Sequence, residues 1–267
     1  MFKKYIIYAF VLLLVISGVL FALFTKKGSE KLKIGVTGNP STAILELIKP
    51  DLKKDGIDLE IIEFGDYQTP NLALVEKSID ANSYQHKPFL DAFNKQHNTD
   101  LVSVGDTFTG IMAFYSKKIK NINELREGDK IGIPNDATNE ERALLLLESA
   151  GLIKLDRKNG INITVKDITS NPNGLEIQEL QAAILPRVLD DLTGCIINPG
   201  YAIDSGLNPK KDGIYYETGA SPYLNVIATR QELKNNKKIL TFVKHFKSKK
   251  VKDFLEKDYG GHFNYAW

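Results

Sequence analysis

The sequence predicts an α/β protein with two lobes, because short apolar strands alternate with helical patterns in two successive series. The first series occupies residues 32–107, and the second begins near residue 112. A strand at 222–230 and two closing helices follow, which indicates that the chain crosses between the lobes more than once. A cleft between two lobes is a natural site for a small ligand.

The first series contains four predicted strands, at 32–37, 59–64, 80–85 and 100–107. Three helices separate them: Ser41 to Lys54 with an interruption at Pro50, Pro70 to Ile79, and Lys87 to about His97. Alternation of this kind predicts a mainly parallel sheet covered on both faces.

The second series has strands predicted at 112–116, 130–134, 163–168, 175–180 and 194–198. A short helix is expected near 122–128, another from Asn139 to Ala150, and further helices between the last three strands. The predicted domains are 28–110 plus 220–267 for lobe 1 and 111–219 for lobe 2.

Residues 1–27 form a separate segment. The stretch from Tyr5 to Phe24 carries no charge, and lysines flank it on both sides. As a helix, twenty such residues are about 30 Å long, the thickness of the hydrocarbon core of a bilayer. A cleavable signal usually has a shorter apolar part, so the pattern favours an uncleaved transmembrane anchor over a signal helix. The globular part is then expected in the periplasm or outside the cell.

Composition and motifs argue against several function classes. Without its first 27 residues the chain is slightly acidic, so it has no excess of basic residues that would indicate nucleic-acid binding. Cys195 is the only cysteine, so an internal disulfide and a multi-cysteine metal site are excluded. The sequence contains no Gly-rich phosphate loop, no GxSxG and no HExxH. We therefore expect no enzyme activity, no cofactor and no metal.

His86 stands at a strand-to-helix junction in SYQHKPF, where ligands of open α/β sheets bind. Tyr84 and Phe89 flank it, and Tyr67 follows the preceding strand. A single histidine among aromatic residues is more often structural than ligand-binding. The shared strand-end position of Tyr67 and His86 favours a pocket for an apolar or thioether side chain.

Three polar groups are further candidates. Thr138 and Glu141 form a predicted capping box, which places Arg142 in the first helical turn, where a cation is disfavoured. Arg142 either pairs with Glu140 or Glu141 or clamps a ligand carboxylate. Asn198 ends a strand, although turn chemistry explains it equally well, and Asn225 lies within a strand.

These segments together resemble the NlpA/MetQ family of methionine-binding substrate-binding lipoproteins. The blocks DYQTPN, DANSYQHKPFLD, IPNDATNEERALLLL, LPRVLDD, IINPGYA and SPYLNVIA carry the resemblance, which covers about residues 32 to 267. It implies a type II periplasmic-binding fold that closes on an amino acid. It also implies that Tyr67, Tyr84, His86 and Phe89 surround the methionine side chain. Arg142 with Asn139 would clamp the carboxylate, and Asn198 and Asn225 would contact the polar end of the ligand.

The sequence departs from the family pattern in two places. No cysteine precedes Cys195, which excludes lipid attachment at the usual position after the signal sequence. The segment TFTGIM replaces a bulkier stretch, and Gly110 is expected to enlarge or loosen the rim of the pocket.

The resemblance implies a monomeric capture subunit that delivers L-methionine to an ABC permease and its ATPase. The alternatives are a binder of a Met-containing dipeptide or another small apolar amino acid, a surface interaction protein, and a hydrolase using His86.

Overall fold

The computed structural model describes residues 29–157, 163–218, 221–260 and 262–267. The predicted anchor, residues 1–27, lies outside the described residues. Within them, no helix is both long and apolar enough to cross a bilayer.

The chain alternates strands and helices, and the first series follows the predicted order. The helices are α1 (Ser41–Lys54), α2 (Thr69–Val75), α3 (Lys87–His97), α4 (Ala137–Ser149), α5 (Pro199–Asp204), α6 (Lys237–Phe246) and α7 (Lys249–Asp258). The strands are β1 (Glu30–Val36), β2 (Ile57–Glu63), β3 (Ala81–His86), β4 (Val102–Asp106), β5 (Phe108–Gly110), β6 (Ala113–Tyr115), β7 (Lys130–Pro134), β8 (Lys154–Leu155), β9 (Ile168–Ser170), β10 (Glu176–Leu180), β11 (Gly194–Ile197), β12 (Gly213–Tyr216), β13 (Asn225–Thr229) and β14 (Phe263–Tyr265).

Two five-stranded sheets organise the molecule, in the orders β2-β1-β3-β13-β4 and β10-β7-β11-β6-β12. The chain passes from the first sheet to the second through residues 107–112 and returns between the end of β12 at Tyr216 and the start of β13 at Asn225. Each sheet has its own apolar core; that of the first includes the buried faces of α1, α6 and α7, and that of the second includes α4. The prediction of a two-lobed α/β protein is confirmed.

The sheets are mixed, whereas a mainly parallel arrangement was expected. Strands β1, β2 and β3 run parallel, but the returning strand β13 enters between β3 and β4 and is antiparallel to both. In the second sheet β6 is antiparallel to β11 and β12. The strands next to the crossovers therefore reverse direction, which a local pattern does not reveal.

Several predicted boundaries are wrong for identifiable reasons. Helix α1 continues through Pro50 to Lys54, because its apolar face, including Ile44, Ile48 and Leu52, is fully packed in the core. Helix α2 ends at Val75, four residues early. A 3-10 turn at Ala182–Ile184 stands where a helix was expected before the strand at 194–198. Another 3-10 turn, Val165–Asp167, lies within the segment predicted as the strand 163–168.

Glu140 is a buried acid of α4. Its carboxylate accepts a hydrogen bond from the backbone N–H of Val165 at 3.0 Å, and only 5% of the residue is exposed. Burial raises the pKa of Glu140 to about 7, and the neighbouring Glu179 of β10 acts in the same direction. Glu140 is thus partly protonated near pH 7, where an ordinary glutamate is fully charged.

We expect Glu140→Gln to stabilise the protein at pH 8 by on the order of 1–2 kcal/mol. Native Glu140 titrates near pH 7, while the ordinary value is 4.5, so the native state binds the extra proton between these values. The wild-type protein therefore loses stability as pH rises through 7, and the advantage of the variant shrinks toward pH 4.5. Urea denaturation at pH 5 and pH 8 measures this difference. Glu124→Gln, at an exposed site, is the control, and an equal effect of Glu140→Gln at both pH values would contradict the prediction.

Candidate ligand-binding site

A cavity of about 60 Å³, partly open to solvent, lies between residues carried by the two large sheets. All the residues predicted as ligand contacts line it: Tyr67, Tyr84, His86, Phe89, Asn139, Arg142, Asn198 and Asn225. Sequence reasoning missed the lining residues Gly38, Asn39 and Ser41, which lie where β1 leads into α1. The structure thus brings together lining residues as far apart along the chain as Thr37 and Phe263.

The first sheet positions the aromatic part of the wall. Tyr84 and His86 lie on β3, and Phe89 lies in the first turn of α3. His86 is the N-cap of α3, where its Nδ1 accepts a hydrogen bond from the backbone N–H of Phe89 at 3.1 Å. In the neighbouring strand, Asn225 stands opposite His86 in register. The end of β3 and the start of β13 therefore place the His86 ring and the Asn225 amide side by side in the cavity wall.

The rings of Tyr67, Tyr84 and Phe89 lie close together, with centroids about 6 Å apart. The hydroxyl of Tyr84 donates to the backbone oxygen of Tyr67 at 2.8 Å, so it does not compete for a ligand. Burial raises the pKa of Tyr67 and of Tyr84 well above 10, which keeps both phenols neutral. This part of the wall is a polarisable apolar surface.

Two further tyrosines extend this surface. Tyr201 of α5 stacks on Tyr67 with a centroid distance of 4.7 Å, and Tyr223 lies edge-on to His86 at 5.1 Å. Both belong to sequence blocks that carry the family resemblance. The sequence alone did not identify them as part of this surface, because each lies more than 130 residues from its partner.

A buried chain of hydrogen bonds starts from Asp136, the N-cap of α4. Its carboxylate accepts from the backbone N–H of Asn139 at 3.1 Å and from Asn139 Nδ2 at 2.9 and 3.0 Å. Because a carboxylate only accepts, the amide nitrogen of Asn139 must face Asp136. Asn139 Oδ1 therefore points away, and it accepts from Asn198 Nδ2 at 2.8 Å. Both ends of the Asn139 amide are thus hydrogen-bonded within the protein, and its oxygen orients Asn198.

This orientation leaves one acceptor without a partner. Since Asn198 turns its nitrogen toward Asn139, its Oδ1 is buried and has no hydrogen-bond partner among the described residues. An unsatisfied buried oxygen costs about 1–3 kcal/mol. Asn198 Oδ1 in the cavity wall is therefore suited to accept a hydrogen bond from a ligand.

His86 has its tautomer fixed by the same chain. Its Nδ1 accepts from Phe89, so Nε2 carries the hydrogen and donates to Asn139 Oδ1 at 3.1 Å. Burial lowers the pKa of His86 to about 3, and the charge of Arg142 adds to this effect. With both nitrogens engaged, His86 has no free lone pair for proton abstraction. The geometry gives no support to a hydrolase that uses His86 as a base.

Arg142 is paired, but with neither of the expected acids. Its Nε and Nη2 donate to the two carboxylate oxygens of Glu217, each at 2.6 Å, and Nη2 also donates to the backbone oxygen of Gly110 at 2.8 Å. The ring of Tyr223 covers its guanidinium at 4.5 Å. The alternative pairing with Glu140 or Glu141 is therefore wrong.

The predicted capping box is also wrong. Helix α4 begins at Ala137 and its cap is Asp136, so Arg142 lies in the second turn, beyond the strongest part of the helix dipole. The sequence did not predict Glu217 as the partner of Arg142, because no local pattern links the two positions.

Gly110 does not loosen the rim as expected. A Cβ at this position would lie 2.6 Å from Cβ of Pro199, which is too close for any side chain. Glycine here permits close contact between the crossover segment and the start of α5.

Asn225 contributes an amide whose side chain makes no hydrogen bond within the described part of the chain. It is thus available to a molecule in the cavity, as Asn198 Oδ1 is. Among the described residues no cluster of histidine, cysteine or acidic side chains could hold a metal ion.

We expect ¹⁵N NMR to show His86 as the neutral tautomer with hydrogen on Nε2, unchanged from pH 8 to pH 5. Because the pKa is about 3 in the native state and ordinarily 6.5, unfolded chains bind a proton between these values that native chains do not. Stability should therefore fall as pH decreases from 6.5 toward 3. A His86 titration with a midpoint near 6.5, or hydrogen on Nδ1, would contradict this assignment.

Comparison with known proteins agrees with this arrangement. The D-methionine-binding lipoprotein MetQ of Escherichia coli K12 is 42% identical over 245 residues, covering 91% of this chain and 90% of MetQ. Outer membrane lipoprotein 3 of Mannheimia haemolytica is 42% identical over 240 residues, covering 90% of this chain and 91% of its own length.

A solved structure has the same fold. The nutrient binding protein of Burkholderia cenocepacia, bound to methionine, superposes with a TM-score of 0.86 at 41% identity, over 88% of this chain and all of its own. This likeness confirms the predicted periplasmic-binding fold, and the relatives are binding proteins, not enzymes. The model of the NlpA lipoprotein family matches residues 32–267. The chain therefore belongs to the NlpA lipoprotein family.

Proposed function

We propose that the chain is the extracytoplasmic solute-binding subunit of an ABC importer, and that it binds methionine or a close analogue between its lobes. The observation that carries the proposal is the pairing of two groups in one cavity. Asn198 Oδ1 is a buried acceptor without a partner, and Arg142 keeps one end of its guanidinium unbonded. An α-amino acid offers the complementary ammonium and carboxylate.

The polar end of the ligand is proposed to lie against these groups. Glu217 and Gly110 take three of the five N–H donors of Arg142, and the two on Nη1 make no hydrogen bond within the described residues. They can donate to the ligand carboxylate. The free amide of Asn225 is a second candidate contact for this end. Asn139 acts by orienting Asn198 and His86, a different role from the clamp first expected.

The side chain of the ligand is proposed to lie among Tyr67, Tyr84 and Phe89, with His86 beside them. A thioether packs favourably against aromatic edges, and these rings carry no charge. The relatives named for methionine binding support this choice.

Closure around the ligand would bring together lobe 1, residues 28–110 plus 220–267, and lobe 2, residues 111–219. Membership of the two sheets supports these boundaries. Contacts that join the lobes in this structure include His86 with Asn139, Tyr67 with Tyr201, and Asn39, whose amide groups donate to Asp204 at 3.1 Å. Arg142 of lobe 2 also bonds to Gly110 and lies against the ring of Tyr223, both in lobe 1. The ligand would favour closure because it contacts both lobes only in this state.

The transport partners are proposed from the family and from the relatives. A solute-binding protein of this kind would deliver its ligand as a monomer to a membrane permease driven by a separate ATPase. Residues 5–24 would tether the protein to the membrane with its globular part outside the cytoplasm, replacing the lipid anchor of the lipoproteins.

Titration calorimetry on purified residues 28–267 tests the ligand. Removal of bound ligand by unfolding and refolding comes first. We expect binding of methionine, with L- and D-forms, Met-containing dipeptides and small apolar amino acids compared under the same conditions. Absence of heat with every member of this panel would overturn the proposal, and tightest binding of a dipeptide would change the ligand.

Asn198→Ala tests the proposed ammonium contact. It should weaken methionine binding by about 1.5–3 kcal/mol, the usual contribution of a hydrogen bond to a charged group. The loss should be smaller for 4-(methylthio)butanoate, which has no ammonium. Asn123→Ala, at an exposed site, is the matched control. An equal loss for both ligands would remove Asn198 from this role.

The tether is tested on the full chain in a bacterial host. We expect the protein in the membrane fraction after carbonate washing, with an intact mass that includes residues 1–27. A soluble protein whose mass begins after this segment would show that the segment is a cleaved signal.

A further inference from the structure

Glu217 lies behind Arg142 at the point where the chain returns from the second sheet to the first. Its two oxygens take the Nε and Nη2 donors of Arg142, and Oε2 also accepts from the backbone N–H of Met112 at 2.9 Å. The backbone N–H of Glu217 donates to Met112 O at 3.0 Å. This carboxylate is therefore fixed to both crossover segments.

The cavity has little positive charge to offer an anion. Arg142 is the one cationic residue among those that line it, because His86 is neutral. Glu217 neutralises Arg142 directly, and Asp136 adds a negative charge behind Asn139. A ligand that brings only a carboxylate thus meets a wall without net positive charge.

We propose that Glu217 is a specificity-determining residue, which makes the cavity select ligands with a cationic amino group and reject simple carboxylate anions. The inference rests on the proposed function and refines it. Glu217 occupies the side of the guanidinium that binds carboxylates bidentately, so the ligand carboxylate receives only the Nη1 donors. The remaining recognition falls to Asn198 Oδ1, which accepts only from a donor such as ammonium.

The alternative is that the full charge of Arg142 remains available to bind a ligand carboxylate. The two hypotheses predict different orders of affinity for three ligands. Methionine is a zwitterion, methioninamide is a cation without the carboxylate, and 4-(methylthio)butanoate is an anion without the ammonium. If Glu217 neutralises Arg142, the wild-type protein binds methionine best and the cation better than the anion. If Arg142 clamps freely, the anion binds better than the cation.

Glu217→Gln removes one charge and keeps the shape of the side chain. We expect the affinity for the anion relative to the cation to rise by at least roughly 10-fold, because an unneutralised guanidinium then faces the cavity. The preference should invert. Truncating Arg142 is less informative, since it leaves Glu217 without its partner.

Calorimetry with all three ligands on wild-type protein and on Glu217→Gln tests the inference. Glu256→Gln on α7 removes the same charge from an exposed position and should leave the ligand order unchanged. The wild-type measurement decides the question even if Glu217→Gln fails to fold. An anion bound as tightly as the cation by wild-type protein, or an unchanged ratio in a folded Glu217→Gln variant, would overturn the role of Glu217. Failure of the wild-type protein to bind methionine would count against the proposed function instead.

Discussion

The carboxylate of Asp136 sets the polarity of the cavity wall. It caps α4 and can only accept hydrogen bonds, so it turns the nitrogen of Asn139 inward and the oxygen outward. That oxygen holds Asn198 and His86, each in one orientation. A free acceptor on Asn198 and a fixed orientation of His86 both follow from this single group. Burial raises the pKa of Asp136, while hydrogen bonds from Asn139 and Thr138 act in the opposite direction and favour the charged form that the network requires.

A second constraint acts where the chain crosses between the sheets. Arg142 bonds to Gly110 on one crossover and to Glu217 on the other. Met112 joins these two segments, because its N–H donates to the Glu217 carboxylate and its carbonyl oxygen accepts from the Glu217 N–H. Gly110 also lies against Pro199 at a distance that no side chain would allow. The residue expected to clamp a ligand therefore also fastens the connections between the lobes. Its charge is balanced within the protein before any ligand enters, which distinguishes it from a free basic group on a surface.

The sequence predicts features that depend on neighbouring residues, but it does not predict contacts between residues that are distant along the chain. The strand-end positions of Tyr67 and His86 were predictable, because parallel strands bring their carboxyl ends to one edge of a sheet. The partner of Arg142 was not, since Glu217 lies 75 residues away and the nearby Glu140 and Glu141 were equally plausible from the sequence. The cap of α4 was misplaced because Thr138 and Asp136 are both good capping residues, and only the fold decides between them. The reversal of β13 and β6 likewise depends on the paths of the crossovers.

The contacts that join the lobes explain why a ligand can control closure. His86 with Asn139 is a hydrogen bond between neutral groups, and Tyr67 with Tyr201 is a stack of neutral rings. The hydrogen bond contributes little net free energy, because water replaces it when the lobes separate. The stacked rings contribute about 0.5–1.5 kcal/mol beyond the area that they bury. In the present arrangement of the lobes Asn198 Oδ1 is buried without a partner among the described residues, which is unfavourable. A ligand that donates to this oxygen removes the penalty and adds its own contacts with the aromatic wall, so its binding energy is gained only in the closed state. Under the proposed function, the unsatisfied oxygen would couple recognition of the amino group to the position of the lobes.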